Sequence, residues 1–97
     1  MIYHITTLSR WKASLIMGFH EADSLTSEGF IHASDSHQLK GVLERFYQDQ
    51  KDLLLLHIKE TKLTSVLKYE LAPSVNELFP HIDGSINIDA VTEASSI

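Results

Sequence analysis

The chain contains no cysteine. Disulfides, thiol nucleophiles and cysteine-bound zinc are therefore excluded, in keeping with a reducing compartment. Proline and glycine are scarce, at two and four residues, and no linker, internal repeat, low-complexity segment or Gly-rich phosphate loop is present. No apolar run is long enough to span a bilayer. The start, Met1-Ile2-Tyr3-His4, lacks the basic residues and long apolar stretch of a signal peptide, and a cytoplasmic protein is expected. Positive charge is in deficit, with 8 Lys and Arg against 13 Asp and Glu and a net charge of −5. That balance argues against bulk nucleic-acid binding. A small nucleotide needs only a local cluster of donors and remains compatible.

What is present fits one domain spanning 1–97, with 43% apolar and 22% charged residues. Ile2 to Thr6 is β-branched and aromatic and predicts a first strand, with His4 on the face of Ile2 and Thr6. Thr7 or Ser9 is placed to cap a helix carrying Trp11, Leu15 and Ile16 on one stripe, and Gly18 to end it. Phe19 to Ser27 reads as irregular, with one helical turn at Ser24 to Ser27. Phe30 to Ala33 predicts a second strand. Ser34 or Asp35 then caps a second helix, with Gln38 reaching back, and Leu39, Val42, Leu43, Phe46 and Tyr47 keep helical spacing.

The unbroken apolar run Leu53 to Ile58 predicts a central strand buried on both faces. Val66 to Leu71 alternates, with Leu67, Tyr69 and Leu71 opposite Lys68 and Glu70. Ser74 to Ser85 reads as an ordered loop, Ile86 to Val91 as a last strand, and the final residues as frayed. Interleaved strands and helices in so short a chain predict a compact α+β fold: a mainly antiparallel sheet with two main helices.

Three histidines stand in apolar frames: Ile2-Tyr3-His4-Ile5, Gly29-Phe30-Ile31-His32-Ala33-Ser34 and Phe79-Pro80-His81-Ile82. Imidazole exchanges protons near neutral pH, and the neutral ring is an acceptor or ligand. His32 precedes a helix N-terminus, where free N–H groups favour anions. His81 sits on a loop stiffened by Pro80. Glu70 lies on a polar strand face, able to orient a histidine or stabilise positive charge, or simply to pair with Lys68. Trp11 is either a core anchor or an aromatic wall for a ring. His20, His37 and His57 have no supporting pattern. Spacing matches no metal motif and no nucleophile elbow.

Tyr3-His4-Ile5, Trp11, Ser24-Leu25, Glu28-Gly29-Phe30-Ile31-His32-Ala33-Ser34, Tyr69-Glu70 and Phe79-Pro80-His81-Ile82 with Gly84, in that order, resemble the DUF952 family of small bacterial proteins. The chain departs at Asp83 and Ser85, where the family typically carries an aromatic and a proline. The family is similar in fold to ADP-ribosyltransferases, which cleave NAD at the nicotinamide–ribose bond. The resemblance implies a split, mainly antiparallel sheet with NAD in its cleft. It makes His4 the counterpart of the first-strand histidine that holds ribose and the nicotinamide amide. The segment Phe30 to Ser34 also looks like the second-strand segment of RNA 2′-phosphotransferases, where a histidine faces the nucleotide.

The expected function is therefore that of an NAD- or nucleotide-binding protein with an ADP-ribosyltransferase-like cleft, transferring ADP-ribose or processing NAD. Its catalytic candidates are His4, His32, His81 and Glu70. Its cofactor-binding candidates are His4, Trp11, His32 and Ser34. No metal site and no membrane partner is expected. The alternative is a non-catalytic module for a small ligand or a protein partner. The leading expectation requires the three histidines to line one hollow.

Overall fold

The computed structural model describes residues 1–97. Its strands fall into three small antiparallel sheets. In the first, β1 (Ile2–Thr7), β4 (Leu53–Ile58) and β8 (Val91–Ser96) run in the order β1-β4-β8. In the second, β3 (Ile31–His32), β6 (Glu77–Ile82) and β5 (Leu67–Ala72) run in the order β3-β6-β5. The third pairs β2 (Phe19–His20) with β7 (Ile86–Asn87). The helices are α1 (Leu8–Met17), α2 (Asp23–Glu28) and α3 (Leu39–Phe46). The α+β class and the antiparallel pairing follow the sequence expectation.

One short seam joins the two larger sheets. Tyr3 and Ser34 form an isolated antiparallel bridge, with Tyr3 N–H donating to the Ser34 carbonyl at 2.9 Å and Ser34 N–H to the Tyr3 carbonyl at 2.8 Å. Ser34 therefore serves the sheets with its backbone, and Asp35 takes over at the helix start. There Asp35 N–H donates to Gln38 Oε1 at 2.9 Å, as the capping pattern predicts. Gln38 itself is buried and donates across to the Leu78 carbonyl at 2.8 Å.

The core is one cluster of Ile2, Ile31, Ala33, Leu56, Ile58, Ile82, Ile86 and Ala90, drawn from all three sheets. On β1 the buried face carries Ile2, His4 and Thr6, opposite Ile58, Leu56 and Leu54 of β4. The strand β4 is central, as expected, yet it is fully buried on that face alone; Leu53, Leu55 and His57 are half-buried.

Several expectations are corrected. The segment read as a loop contains β6, the middle strand of its sheet. Pro80 is tolerated there because its carbonyl accepts from Ala33 N–H at 3.0 Å. Its ring nitrogen points the same way, toward the side where β3 has ended, so no ladder bond with β5 is lost. The last residues are not frayed: Val91 to Ser96 form β8, while Ile88 to Ala90 make a turn of 3-10 helix. They read as a tail because an edge strand covered on one side keeps polar residues. Phe19 to Ser27 is not irregular throughout: it opens with β2, and the helical turn expected at Ser24 to Ser27 lies within α2. On α1, Trp11 is half-buried against the core, but Leu15 and Ile16 are exposed and Ser14 is the buried residue, so only the start of the expected apolar stripe packs inward. The caps hold: Arg10 N–H donates to Thr7 Oγ1 at 3.2 Å, and Gly18 adopts φ 90°, a conformation glycine takes at little cost.

Because Leu56 is fully buried at the middle of β4, Leu56→Ala is expected to cost about 2–5 kcal/mol. Urea unfolding of the two proteins measures it; a loss below about 1 kcal/mol would place the core elsewhere.

Candidate functional site

The histidines are arranged in two tiers across the seam. The inner tier is His4 on β1 and His20 on β2, both buried, with ring centroids 5.2 Å apart and planes at 62°. His4 is aimed inward because alternation puts it on the core face of β1. Its Nδ1–H donates to the His32 carbonyl at 2.6 Å, beside the Tyr3–Ser34 bridge. His20 Nδ1 lies 2.6 Å from Ser14 Oγ, and Ser14 donates to the Arg10 carbonyl at 2.9 Å. Trp11, half-buried on α1, lies 5.9 Å from the His20 ring. His4 Nε2 and His20 Nε2 are buried without a protein partner.

The outer tier lies on the exposed face of the second sheet. His32 and His81 are directly opposed across β3 and β6, with rings 5.5 Å apart. Phe30 stacks on His81 at 3.8 Å and 9°, and meets His32 edge-on at 4.8 Å. Glu28, at the end of α2, accepts from His32 Nε2–H at 3.0 Å. Across from His81 stands Lys68, which pairs with Asp83 at 3.0 Å. Glu70 is one step further along that face, opposite Phe79, and exposed.

The two tiers differ electrostatically. Burial lowers His4 from 6.5 to about 4, with His32 and Arg10 acting in the same direction and the His32 carbonyl opposing them. Burial lowers His20 to about 3, helped by His4 and Arg10. Both rings are neutral at pH 7. His81 is lowered too, first by burial and then by His32, with Glu70, Asp83 and Glu28 opposing.

Of the sequence candidates, His32, His81 and Glu70 thus share one sheet face, and His4 shares the inner tier with Trp11. Ser34 lies at the seam through its backbone. The three histidines do not line one open hollow: His4 is only 6% exposed. A hollow of about 350 Å³ beside α1 is lined by Thr7, Arg10, Ser14 and Glu21, and one of about 370 Å³ by Leu43, Tyr47 and Leu53. Neither is lined by His4, His32 or His81. Sequence reading missed His20. Its only signal was Phe19-His20 directly after a helix-ending glycine, a strand too short to show a period. No group of three or more His, Cys, Asp or Glu is placed to hold a metal ion, and no helix is long and apolar enough to cross a membrane.

Small antiparallel sheets spliced at one seam, with histidines from β1, β3 and β6 gathered around it, define an α+β protein of a particular layout. The chain belongs to the DUF952 family, described as a protein of unknown function, whose match covers residues 5–94. It is similar to protein CC0527 from Caulobacter crescentus. The crystal structure of that protein aligns with a TM-score of 0.88 at 27% identity, covering 97% of this chain and 82% of that one. Its solution NMR structure gives 0.84 at 27% identity, covering 99% and 83%. No curated protein matches.

A buried histidine held neutral makes stability fall with acid. Below pH 6.5 the unfolded chain binds protons that the native chain refuses, so His4 alone removes on the order of 3 kcal/mol by pH 4. His20 adds in the same direction. Above pH 6.5 neither contributes. Urea midpoints should fall from pH 7 to pH 4.5, with a shallower fall in His20→Phe. A flat profile over that range would contradict the inner tier.

Proposed function

We propose that this chain binds a nucleotide, with NAD as the leading candidate, at the seam between its two larger sheets. The observation that carries the reading is the cluster of Phe30, His32 and His81 on one accessible sheet face beside the seam, with Lys68 and Glu70 on the same face. That face, rather than a single hollow shared with His4, suits such a ligand. Phe30 and His81 present stacked rings for a base, and Lys68 lies beside them for phosphate.

The split antiparallel layout supports the similarity to ADP-ribosyltransferases that the motifs imply. In that chemistry the nicotinamide–ribose bond breaks with its electron pair leaving on nicotinamide, and a nucleophile closes on the ribose carbon. The sugar gains oxocarbenium character, which an acidic group stabilises. Glu70 is the carboxylate on the histidine face available for this. His81 would position or deprotonate the acceptor. His4 is no proton donor to a ligand here, since the ring is neutral at pH 7 and its one proton lies on Nδ1, bonded to the His32 carbonyl.

The second reading, a module that binds without reaction, is favoured by that same point. The best-enclosed histidines are neutral and buried, poorly placed to exchange a proton with a substrate. Two measurements separate the readings. NAD at millimolar concentration should shift the His4, His32 or His81 ring signals in NMR, and nicotinamide release marks turnover. Shifts without release leave a binding module. No shift in any of the three rings overturns nucleotide binding.

A further inference from the structure

The strand β5 has β6 on one side and no strand on the other. Which of its backbone groups are free follows from Pro80. The Pro80 carbonyl accepts from Ala33 on the β3 side, and Tyr69 stands opposite Pro80. Tyr69 and Pro80 are therefore a pair without mutual hydrogen bonds, and the amide and carbonyl of Tyr69 point outward. By alternation those of Leu67 and Leu71 do the same. The bond from Asp83 N–H to the Val66 carbonyl at 2.8 Å agrees, because it turns the even-numbered residues toward β6. The devices that usually blunt such an edge are weak here. The β5–β6 register runs without a bulge, and Pro73 comes only after the strand ends. The single lysine of β5, Lys68, is tied to Asp83 at 3.0 Å. Val66, Tyr69 and Leu71 along this edge are exposed, as is Leu78 opposite Leu71.

The segment Val66-Leu67-Lys68-Tyr69-Glu70-Leu71-Ala72 is complementary to itself when reversed. In an antiparallel pair of identical strands, outward-facing residues must meet outward-facing residues, which leaves few registers. Centring on Lys68 sets that lysine against its own copy, and centring on Glu70 sets two carboxylates face to face. Like charges directly opposite are unfavourable. Centring on Leu67 or Leu71 leaves most of each strand unpaired. Centring on Tyr69 sets Lys68 against the partner's Glu70, Leu67 against the partner's Leu71 and Val66 against the partner's Ala72. The charges then alternate around a square, and like charges lie only on its diagonals.

We propose that β5 is the docking edge for a second copy of this chain, the two strands pairing antiparallel about a twofold axis at Tyr69. Leu67, Tyr69 and Leu71 exchange backbone bonds with their opposites. Two three-stranded sheets become one continuous sheet. Residues directly opposite point to the same face, so Lys68 and Glu70 carry the histidine face of each copy to the same side of that sheet. Each candidate site then gains the partner's Lys68 and Glu70 at its border. The inference goes beyond the nucleotide reading and needs no ligand. A single paired edge is at the small end of specific interfaces, so the pairing depends on concentration.

The experiment uses the full chain without nucleotide, at low salt, where surface charge is least screened. Analytical ultracentrifugation from micromolar to millimolar concentration should show the mass rising from that of one chain toward that of two. Glu70→Lys sets lysine against lysine in the pair, and Lys68→Glu sets glutamate against glutamate. Each alone should weaken pairing by about tenfold or more. Mixed together, the two variants oppose unlike charges at every position, and the mass should recover. Recovery also shows that both variants are folded. Amide hydrogen exchange at Leu67, Tyr69 and Leu71 should slow as the wild-type concentration rises. One-chain mass at millimolar concentration overturns the proposal. So does a dimer that neither variant weakens, a mixture that does not recover, or exchange that slows only outside β5. All of these outcomes leave the nucleotide reading standing, since that reading is tested by the histidine ring signals.

Discussion

The structure depends on one hydrogen bond inside a narrow seam: His4 Nδ1–H to the His32 carbonyl, beside the paired amides of Tyr3 and Ser34. The two three-stranded sheets touch through that bridge, and β3 is only two residues long. An imidazole buried against it ties the first strand to the strand that carries His32. The bond also sets the chemistry. It holds the His4 proton on one nitrogen and leaves the other bare, in a place where water has little access.

The two tiers differ in their surroundings. Burial keeps the inner rings neutral and makes them acceptors. The outer rings, His32 exposed and His81 half-buried, stand near Glu28, Lys68 and Glu70.

Much of the fold was legible in the sequence, for identifiable reasons. The Ile2 to Thr6 alternation, the Leu53 to Ile58 run, the Gly18 stop and the Asp35–Gln38 cap are local signals, and each formed as local physics dictates. β6 and β8 were not legible. Pro80 argues against a central strand unless its nitrogen faces a strand that has already ended, and that depends on tertiary pairing. Val91 to Ser96 is polar because it lies at an edge. Among the site residues, the motif segments drew attention to His32 and His81, which do meet across two strands. His20 could not be found that way, since its partners Ser14, His4 and Trp11 become neighbours only when α1 folds back along β1.

The most direct test of this account is the protonation midpoint of His4, followed by NMR of its ring carbon as pH is lowered. The seam requires a neutral ring down to about pH 4. A midpoint near the ordinary value of 6.5 would mean that the ring is solvated and that its bond to the His32 carbonyl is not what joins the sheets.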